Sequence, residues 1–218
     1  MRINIAIDGP SAAGKSTIAK ILAKELGYVH LDTGAMYRCV GYYALQNHVD
    51  LQDEMALAAM MDTMKISFNA VGNVFINDTD VSSEIRQNEV SMVTSKVSAH
   101  PEVRKRLVKQ QQEIAKDKGY IMDGRDIGTV VLPDAELKVY MVASVEARAK
   151  RRYKEYIDKH VEADYDVIYK DIEQRDYQDM NRKTSPLRQA EDAIKLDTSD
   201  LTIEEVVTAI HNLMNEKL

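Results

Sequence analysis

Gly9-Pro10-Ser11-Ala12-Ala13-Gly14-Lys15-Ser16-Thr17 decides how the rest of this 218-residue sequence is read. It fits G-x-x-x-x-G-K-[ST], a pattern that carries chemical meaning where a strand runs into it and a helix runs out of it. Both flanks are present. Ile3-Asn4-Ile5-Ala6-Ile7-Asp8 alternates as a strand does, and Ile18, Ile21, Leu22 and Leu26 recur at helical spacing. Glycines let the backbone wrap closely, and the first N–H groups of the helix face inward, so an anion is held there with the help of the helix dipole. Gly9 through Thr17 are therefore the expected seat of a nucleoside triphosphate, with Lys15 reaching the β- and γ-phosphates and the Ser16 hydroxyl on Mg²⁺. The alternative is a glycine-rich turn that only reverses the chain.

Hydrophobic residues make up 44% of the chain and charged residues 29%, the composition of an ordinary globular protein long enough for one sizeable core. No apolar run approaches the roughly 20 residues that span a bilayer, and the sequence opens on a strand and not on a signal segment. A cytoplasmic protein with no membrane partner is expected. The single Cys39 can form no intramolecular disulfide, which fits a reducing compartment and the role of a buried thiol. With 35 acidic residues against 29 basic the net charge is −6, so a general affinity for a nucleic-acid polymer is not expected. Basic residues cluster nonetheless, in Arg104-Lys105-Arg106 and between Arg148 and Arg152. That suits a compact anionic ligand, although solvated helix faces produce similar clusters. His30, His48, His100, His160 and His211 show no metal-ligand spacing and are assigned no chemistry.

Farther along, Gly27 is placed to cap the first helix, and Tyr28-Val29-His30-Leu31 reads as a second strand. Asp32 or Thr33 caps a helix running to about Asn47. Another helix, from about Leu51 to Met64, carries Met55, Leu57, Met60, Met61 and Met64 on its apolar side as core filler. Ile66-Ser67-Phe68 and Val74-Phe75-Ile76, joined through Ala70-Val71-Gly72-Asn73, form a β-hairpin pattern that points to a small inserted subdomain. Helices are expected over 88–98 and 101–118, the second with Pro101 in its first turn. Strands follow at 120–123 and 137–142. Ser144 caps a helix bearing Arg148, Arg151 and Arg152, a polar, tyrosine-rich break covers 158–166, and a long helix resumes to about Asn181. A strand over 193–197 and a helix opening at Thr202, with Glu205 completing a capping box, end the chain. Strands alternating with helices imply a parallel sheet covered on both faces, one fold with insertions.

A phosphate loop does not say where the phosphate goes. Ile121-Met122-Asp123 is an apolar strand ending in an acid, the layout that holds Mg²⁺ directly or through water, though acids also end strands with no metal in play. Gly124-Arg125-Asp126 follow at the strand's carboxyl end, where open α/β sheets bind ligands.

Over essentially its whole length the sequence resembles the bacterial cytidylate kinases. The residues that carry the likeness are Asp8 through Ser16, then Leu31-Asp32-Thr33-Gly34-Ala35-Met36-Tyr37-Arg38. To these are added Asp123 through Val131, and Arg175-Asp176 with Asp179, Asn181 and Arg182. Some relatives carry Gly-Thr where this chain has Ser16-Thr17, and a hydroxyl is available either way. The resemblance implies an α/β fold of the P-loop NTPase kind, three layers around a five-stranded parallel sheet. It also implies a nucleoside-monophosphate-binding region over 35–104, with an inserted β subdomain at about 65–98, a helical lid over 148–182, and the rest of 1–218 as core.

Carried over position by position, the resemblance implies that Arg38, Arg125 and Arg182 bind the acceptor phosphate. Arginine suits this because its planar fork donates two hydrogen bonds. Ser95, Arg104 and Asp126 are implied to read the base. Cytosine has an amine that donates and an O2/N3 edge that accepts, so Asp126 takes the amine while Arg104 donates to the acceptors. Thr33 and Tyr37 belong to the same implied CMP site, and Arg175 and Asp179 face its sugar, although the last two serve equally well as a helix-surface ion pair. The implied reaction is the reversible transfer from MgATP to CMP or dCMP, giving CDP or dCDP, by a monomer. ATP lies on Gly9 through Thr17, Mg²⁺ on Ser16 and Asp123, and Lys15, Arg125, Arg182, Arg148 and Arg152 act as catalytic cations. Arg148, Arg151 and Arg152 fall at i, i+3 and i+4, so they share a helix face able to close over the triphosphate. A kinase of another small acceptor, such as a different nucleoside monophosphate or shikimate, is the nearest rival. A GTPase-type switch would carry an Asn-Lys-x-Asp element, and the sequence has none.

Overall fold

The computed structural model describes residues 2–69 and 72–217. In chain order its elements are β1 (Ile5–Asp8), α1 (Lys15–Leu26), β2 (Val29–Asp32), α2 (Thr33–Gln46), α3 (Glu54–Met61), β3 (Ile66–Phe68), β4 (Val74–Ile76) and β5 (Thr79–Asp80). Then come α4 (Asn88–Val97), α5 (Pro101–Ile114), β6 (Tyr120–Gly124), β7 (Leu137–Val142), α6 (Val145–Asp158), α7 (Tyr165–Asn181), β8 (Ile194–Asp197) and α8 (Ile203–Lys217). They form two compact units, one of Met1–Leu31 with Asp117–Leu218 and the other of Asp32–Lys116.

The first unit is built on a five-stranded sheet in the order β2-β6-β1-β7-β8. β1 runs parallel to both neighbours, with Ile7 opposite Asp123 on β6 and Val139 on β7, and β8 extends β7 in parallel. Every residue of β1 is buried, which is what a strand covered on both faces requires and why Ile5-Ala6-Ile7 is uninterrupted. Ile5 and Ile7 share a core with Ile18, Leu22, Val206 and Ile210, so α1 and α8 cover that face. Local signals end the helices as expected. Gly27 adopts the left-handed conformation and donates its N–H to the Ala23 carbonyl. Thr202 and Glu205 exchange backbone and side-chain bonds of 2.8 and 3.2 Å. The strand order reverses at β1, and such a switch point opens a crevice at the carboxyl ends of the strands. The loop from Gly9 and the turn after Gly124 both start there. α6 and α7 enclose a small core, Ala149, Ile168 and Ile172, flanked by Tyr153, Tyr165 and Tyr169 and by Ala12 of the loop that leaves β1.

In the second unit α2 is capped by Asp32, whose Oδ1 accepts from the Ala35 amide at 2.9 Å. Gly41 lets α4 approach α2 closely, since a Cβ there would lie 3.3 Å from Val93 Cγ1. Cys39 is fully buried, and burial pushes its thiol up to about 12, which keeps it inert. Three expectations are corrected here. α3 is shorter than Leu51 to Met64, because Asp53 caps it by accepting from the Ala56 amide; Leu57 and Met60 are buried, whereas Met55 is 71% exposed. α5 stops at Ile114 and tightens into a 3-10 turn over Ala115–Asp117. The hairpin of β3 and β4 gains a third strand, β5, through Asn77 and Asp78, both at positive φ. A two-residue loop demands that conformation, and asparagine and aspartate tolerate it better than most residues. Ala70 and Val71, expected in the β3–β4 connection, lie outside the described residues.

Candidate active site

The phosphate loop leaves β1 at Gly9, whose φ of 152° belongs to glycine and whose added Cβ would fall 2.0 Å from the Met141 carbonyl oxygen on β7. It enters α1 at Gly14, φ 89°, with no side-chain cap, as suits a helix whose first amides serve an anion. Lys15 is buried and donates from Nζ to the Pro10 carbonyl at 2.7 Å. Burial, reinforced by Arg125, pushes its ammonium down to about 7 against the pull of Asp123, Asp8 and Asp179. Ser16 Oγ donates to Asp123 Oδ2 at 2.7 Å, so the two residues expected on Mg²⁺ meet although 107 positions apart. A hydroxyl and a carboxylate are hard oxygen donors, and Mg²⁺ is commonly held by one or two such groups while phosphates and water complete its shell. The pair fits that ion.

Beyond β6, Arg125 donates from Nε to Asp179 Oδ2 at 2.7 Å. Burial opposes both charges, yet each holds the other ionised, with Arg125 shifted up and Asp179 shifted down. Asp126 is buried, with Arg182 Nη2 at 3.6 Å from its Oδ1, and Arg182 Nε donates to the Ser185 carbonyl at 2.7 Å. Arg175 is half-buried and helps lower Asp179.

Asp8 holds this turn in place, a role sequence reasoning missed. Its two carboxylate oxygens accept from the amides of Ile127 and Gly128 at 2.8 and 2.7 Å, closing the backbone just after Arg125 and Asp126. A π-helical turn over Ile127–Val131 follows. An acid directly before the glycine loop, at the end of a buried strand, was the available signal. Burial pushes Asp8 up to about 6 in spite of the two amide bonds, and Asp126 adds to the rise. A carboxyl that titrates near 6 folded and near 3.8 unfolded lends stability that is complete below about pH 4 and lost as pH rises through about 6. At 1.36 kcal/mol per pKa unit the change is about 3 kcal/mol. Asp8→Asn stays neutral throughout, so the stability of wild type relative to this variant should fall by that order between pH 4 and pH 7. Denaturant titrations at the two pH values check it, and a constant difference would mean that Asp8 is not the titrating group.

The arginines of α6 share one side of the helix but have three separate sets of partners. Arg148 is buried, forks onto Asp176 at 3.0 and 2.5 Å, and donates to the carbonyls of Ala143 and, at 3.1 Å, of Ser11 in the phosphate loop. Arg151 is bound to the backbone carbonyl of Thr198. Arg152 donates to the Tyr156 hydroxyl at 3.0 Å and lies over that ring.

Within the second unit, Arg38 Nη2 donates to Asp32 Oδ2 at 2.7 Å. Gly34 leaves room for that contact, because a Cβ there would press on Asp32 Oδ1 and Arg38 Nη1 at 3.1 and 3.3 Å. Thr33 and Tyr37 are buried. The Arg104 guanidinium lies 5.2 Å from the centre of the Tyr37 ring and donates to the Ser98 carbonyl, a cation–π contact that holds it in one pose. Ser95 is exposed.

A family model described as cytidylate kinase matches residues 5–216. The chain is 55% identical over 212 residues to a cytidylate kinase of Streptococcus pneumoniae (strain 70585), covering 95% of each chain. It is 53% identical to a cytidylate kinase of Enterococcus faecalis (strain ATCC 700802 / V583), covering 99% of this chain and 97% of that one. Among solved structures, a shikimate kinase from Bacteroides thetaiotaomicron is similar at a TM-score of 0.51 over 99% of both chains, with 13% identity, a likeness of fold alone.

Proposed function

The chain belongs to the cytidylate kinase family and phosphorylates CMP with ATP; from that premise we propose which residues carry the transfer, that Mg²⁺ accompanies the donor, and that dCMP is accepted beside CMP in a reversible reaction. The observation that carries the residue assignment is the convergence, within one unit, of buried Lys15, the Ser16–Asp123 pair and the Arg125–Asp179 pair at the carboxyl ends of β1 and β6.

In the transfer, the bond between the γ-phosphorus and the β,γ-bridging oxygen of ATP breaks as an oxygen of the CMP phosphate bonds to that phosphorus. The acceptor oxygen is already ionised near neutral pH, so no general base is needed, and the protein acts by alignment and by neutralising charge. Gly9 through Thr17 cradle the triphosphate, and Lys15 answers the charge on its β- and γ-oxygens. Ser16 and Asp123 would hold Mg²⁺, which would add positive charge against the triphosphate. Arg38, Arg125 and Arg182 are assigned to the CMP phosphate, Ser95, Arg104 and Asp126 to cytosine, Thr33 and Tyr37 to the same nucleotide, and Arg175 and Asp179 to the sugar, by motif likeness position by position. Arg152 is assigned to the triphosphate, and Arg148 acts through its bond to the Ser11 carbonyl of the loop. Residues 35–104 are the proposed acceptor-binding region. Residues 148–182 are the proposed lid, supported by the small core that α6 and α7 share, against which Ala12 of the phosphate loop packs, and closure there keeps water from the phosphoryl group. The enzyme is placed in the cytoplasm as a monomer, which the single buried cysteine suits as regards compartment; elution at the mass of one chain tests the monomer.

Release of ADP measured across CMP, dCMP, UMP, AMP, GMP and shikimate tests the acceptor, and strongest turnover on anything but a cytidine nucleotide overturns it. Asp126→Ala tests the base reading. Losing a charge-assisted bond to the cytosine amine, worth about 1.5–3 kcal/mol, should narrow the CMP/UMP ratio of kcat/KM by about 10- to 100-fold. An unaltered ratio would assign the reading to another residue.

A further inference from the structure

We propose that His30 is a positioning residue for the Asp123 carboxylate and thereby sets the affinity of the Ser16–Asp123 pair for its divalent cation. The inference rests on the reading above that this pair holds Mg²⁺. His30 lies on β2, the neighbour of β6 in the sheet, with its side chain only 11% exposed. Its Nε2 is 2.6 Å from Asp123 Oδ1, while Asp123 Oδ2 accepts from Ser16 Oγ. An ionised carboxylate only accepts, so Nε2 carries the hydrogen and donates. The bond is short, as those to ionised acceptors are.

Two donors on opposite oxygens do what neither does alone. The χ2 torsion of aspartate is broad and roughly two-fold, so a carboxylate held at one oxygen still swings. Held at Oδ1 from β2 and at Oδ2 from α1, the plane of Asp123 is fixed. Mg²⁺ tolerates little departure from octahedral geometry, so the orientation of a ligand oxygen enters its affinity directly. Partners of ligating carboxylates accordingly change metal affinity or activity by about 10- to 100-fold when removed. No motif in the sequence includes His30.

His30→Leu removes the donor, and His30→Asn leaves an amide too short to reach Asp123. His30→Gln sets its amide near the position of the imidazole Nε2 and restores a donor. Two quantities are measured on each full-length enzyme: the Mg²⁺ concentration for half-maximal CMP phosphorylation, and Mn²⁺ binding to the enzyme–ADP complex from loss of the free-ion electron paramagnetic resonance signal. Both should weaken about 10-fold in His30→Leu and His30→Asn and return to within about threefold of wild type in His30→Gln. KM for CMP should stay within about twofold in all three, a split that general loss of structure would not produce. Unchanged metal midpoints in the donor-less variants, or an equal shift in His30→Gln, overturn the inference. Should His30→Leu not fold, His30→Asn alone decides. Asp123→Asn separates the two readings. If it weakens Mn²⁺ binding and the His30 variants do not, only the role of His30 fails; if it too leaves Mn²⁺ binding unchanged, the metal site itself fails and the inference with it.

Discussion

Lys15→Ala is expected to lower the rate of phosphoryl transfer about 10³-fold, the scale of losing one preorganised charge at a transition state. KM for CMP should move by less than about threefold, because the lost interaction forms with the donor and strengthens as charge shifts toward the leaving oxygen. The size of the effect follows from how the neighbouring cations are committed. Arg125 is bound to Asp179 and Arg148 to Asp176, so neither is free to take the place of the ammonium. Lys15 itself is buried and pushed down to about 7, a cost that a triphosphate repays by restoring the charge where it is needed. Lys15→Arg should not rescue, since a planar guanidinium is larger than the buried site that seats Nζ against the Pro10 carbonyl. Single-turnover transfer from MgATP at saturating CMP is the measurement, and unchanged turnover would refute the assignment.

Gly9→Ala should cost about 3–5 kcal/mol of stability and abolish activity in whatever fraction folds. The added methyl group would lie 2.0 Å from the Met141 carbonyl oxygen, a backbone atom of β7 that cannot move without disturbing the pairing of Met141 with Leu196 on β8. Gly14→Ala is the control. It also has positive φ, but nothing lies within 4 Å of its added Cβ, so it should cost only the left-handed penalty of about 1–2 kcal/mol. Equilibrium denaturation of both variants separates close approach from backbone conformation. Equal losses would show that the contact with Met141 is not the reason for glycine at position 9.

The stretch from Gly9 to Thr17, the caps at Gly27, Ser144 and Thr202, and the alternation of strands and helices were all legible in the sequence. Each depends on residues within a few positions of one another, where backbone sterics and local hydrogen bonds decide the outcome. Asn77-Asp78 is a turn of the same local kind, two residues at positive φ, although no third strand was expected from it. The length of α3 was less legible, because the methionine-rich apolar stripe runs on to Met64 beyond the helix end at Met61.

What only the tertiary structure decided are the partners of the charged groups. Ser16 reaches Asp123 across 107 positions, His30 the same carboxylate across 93, Asp8 the Gly128 amide across 120, and Arg148 the Ser11 carbonyl across 137. Spacing along α6 placed Arg148, Arg151 and Arg152 on one side, yet a helix face says nothing of what is packed against it. Thus His30 had no signal in the sequence, while Lys15 was plain from its motif. The loop is a local object that a few residues specify by their own conformational preferences. The orientation of Asp123 is set by strands brought side by side in a parallel sheet, whose register is decided by burial over the whole unit.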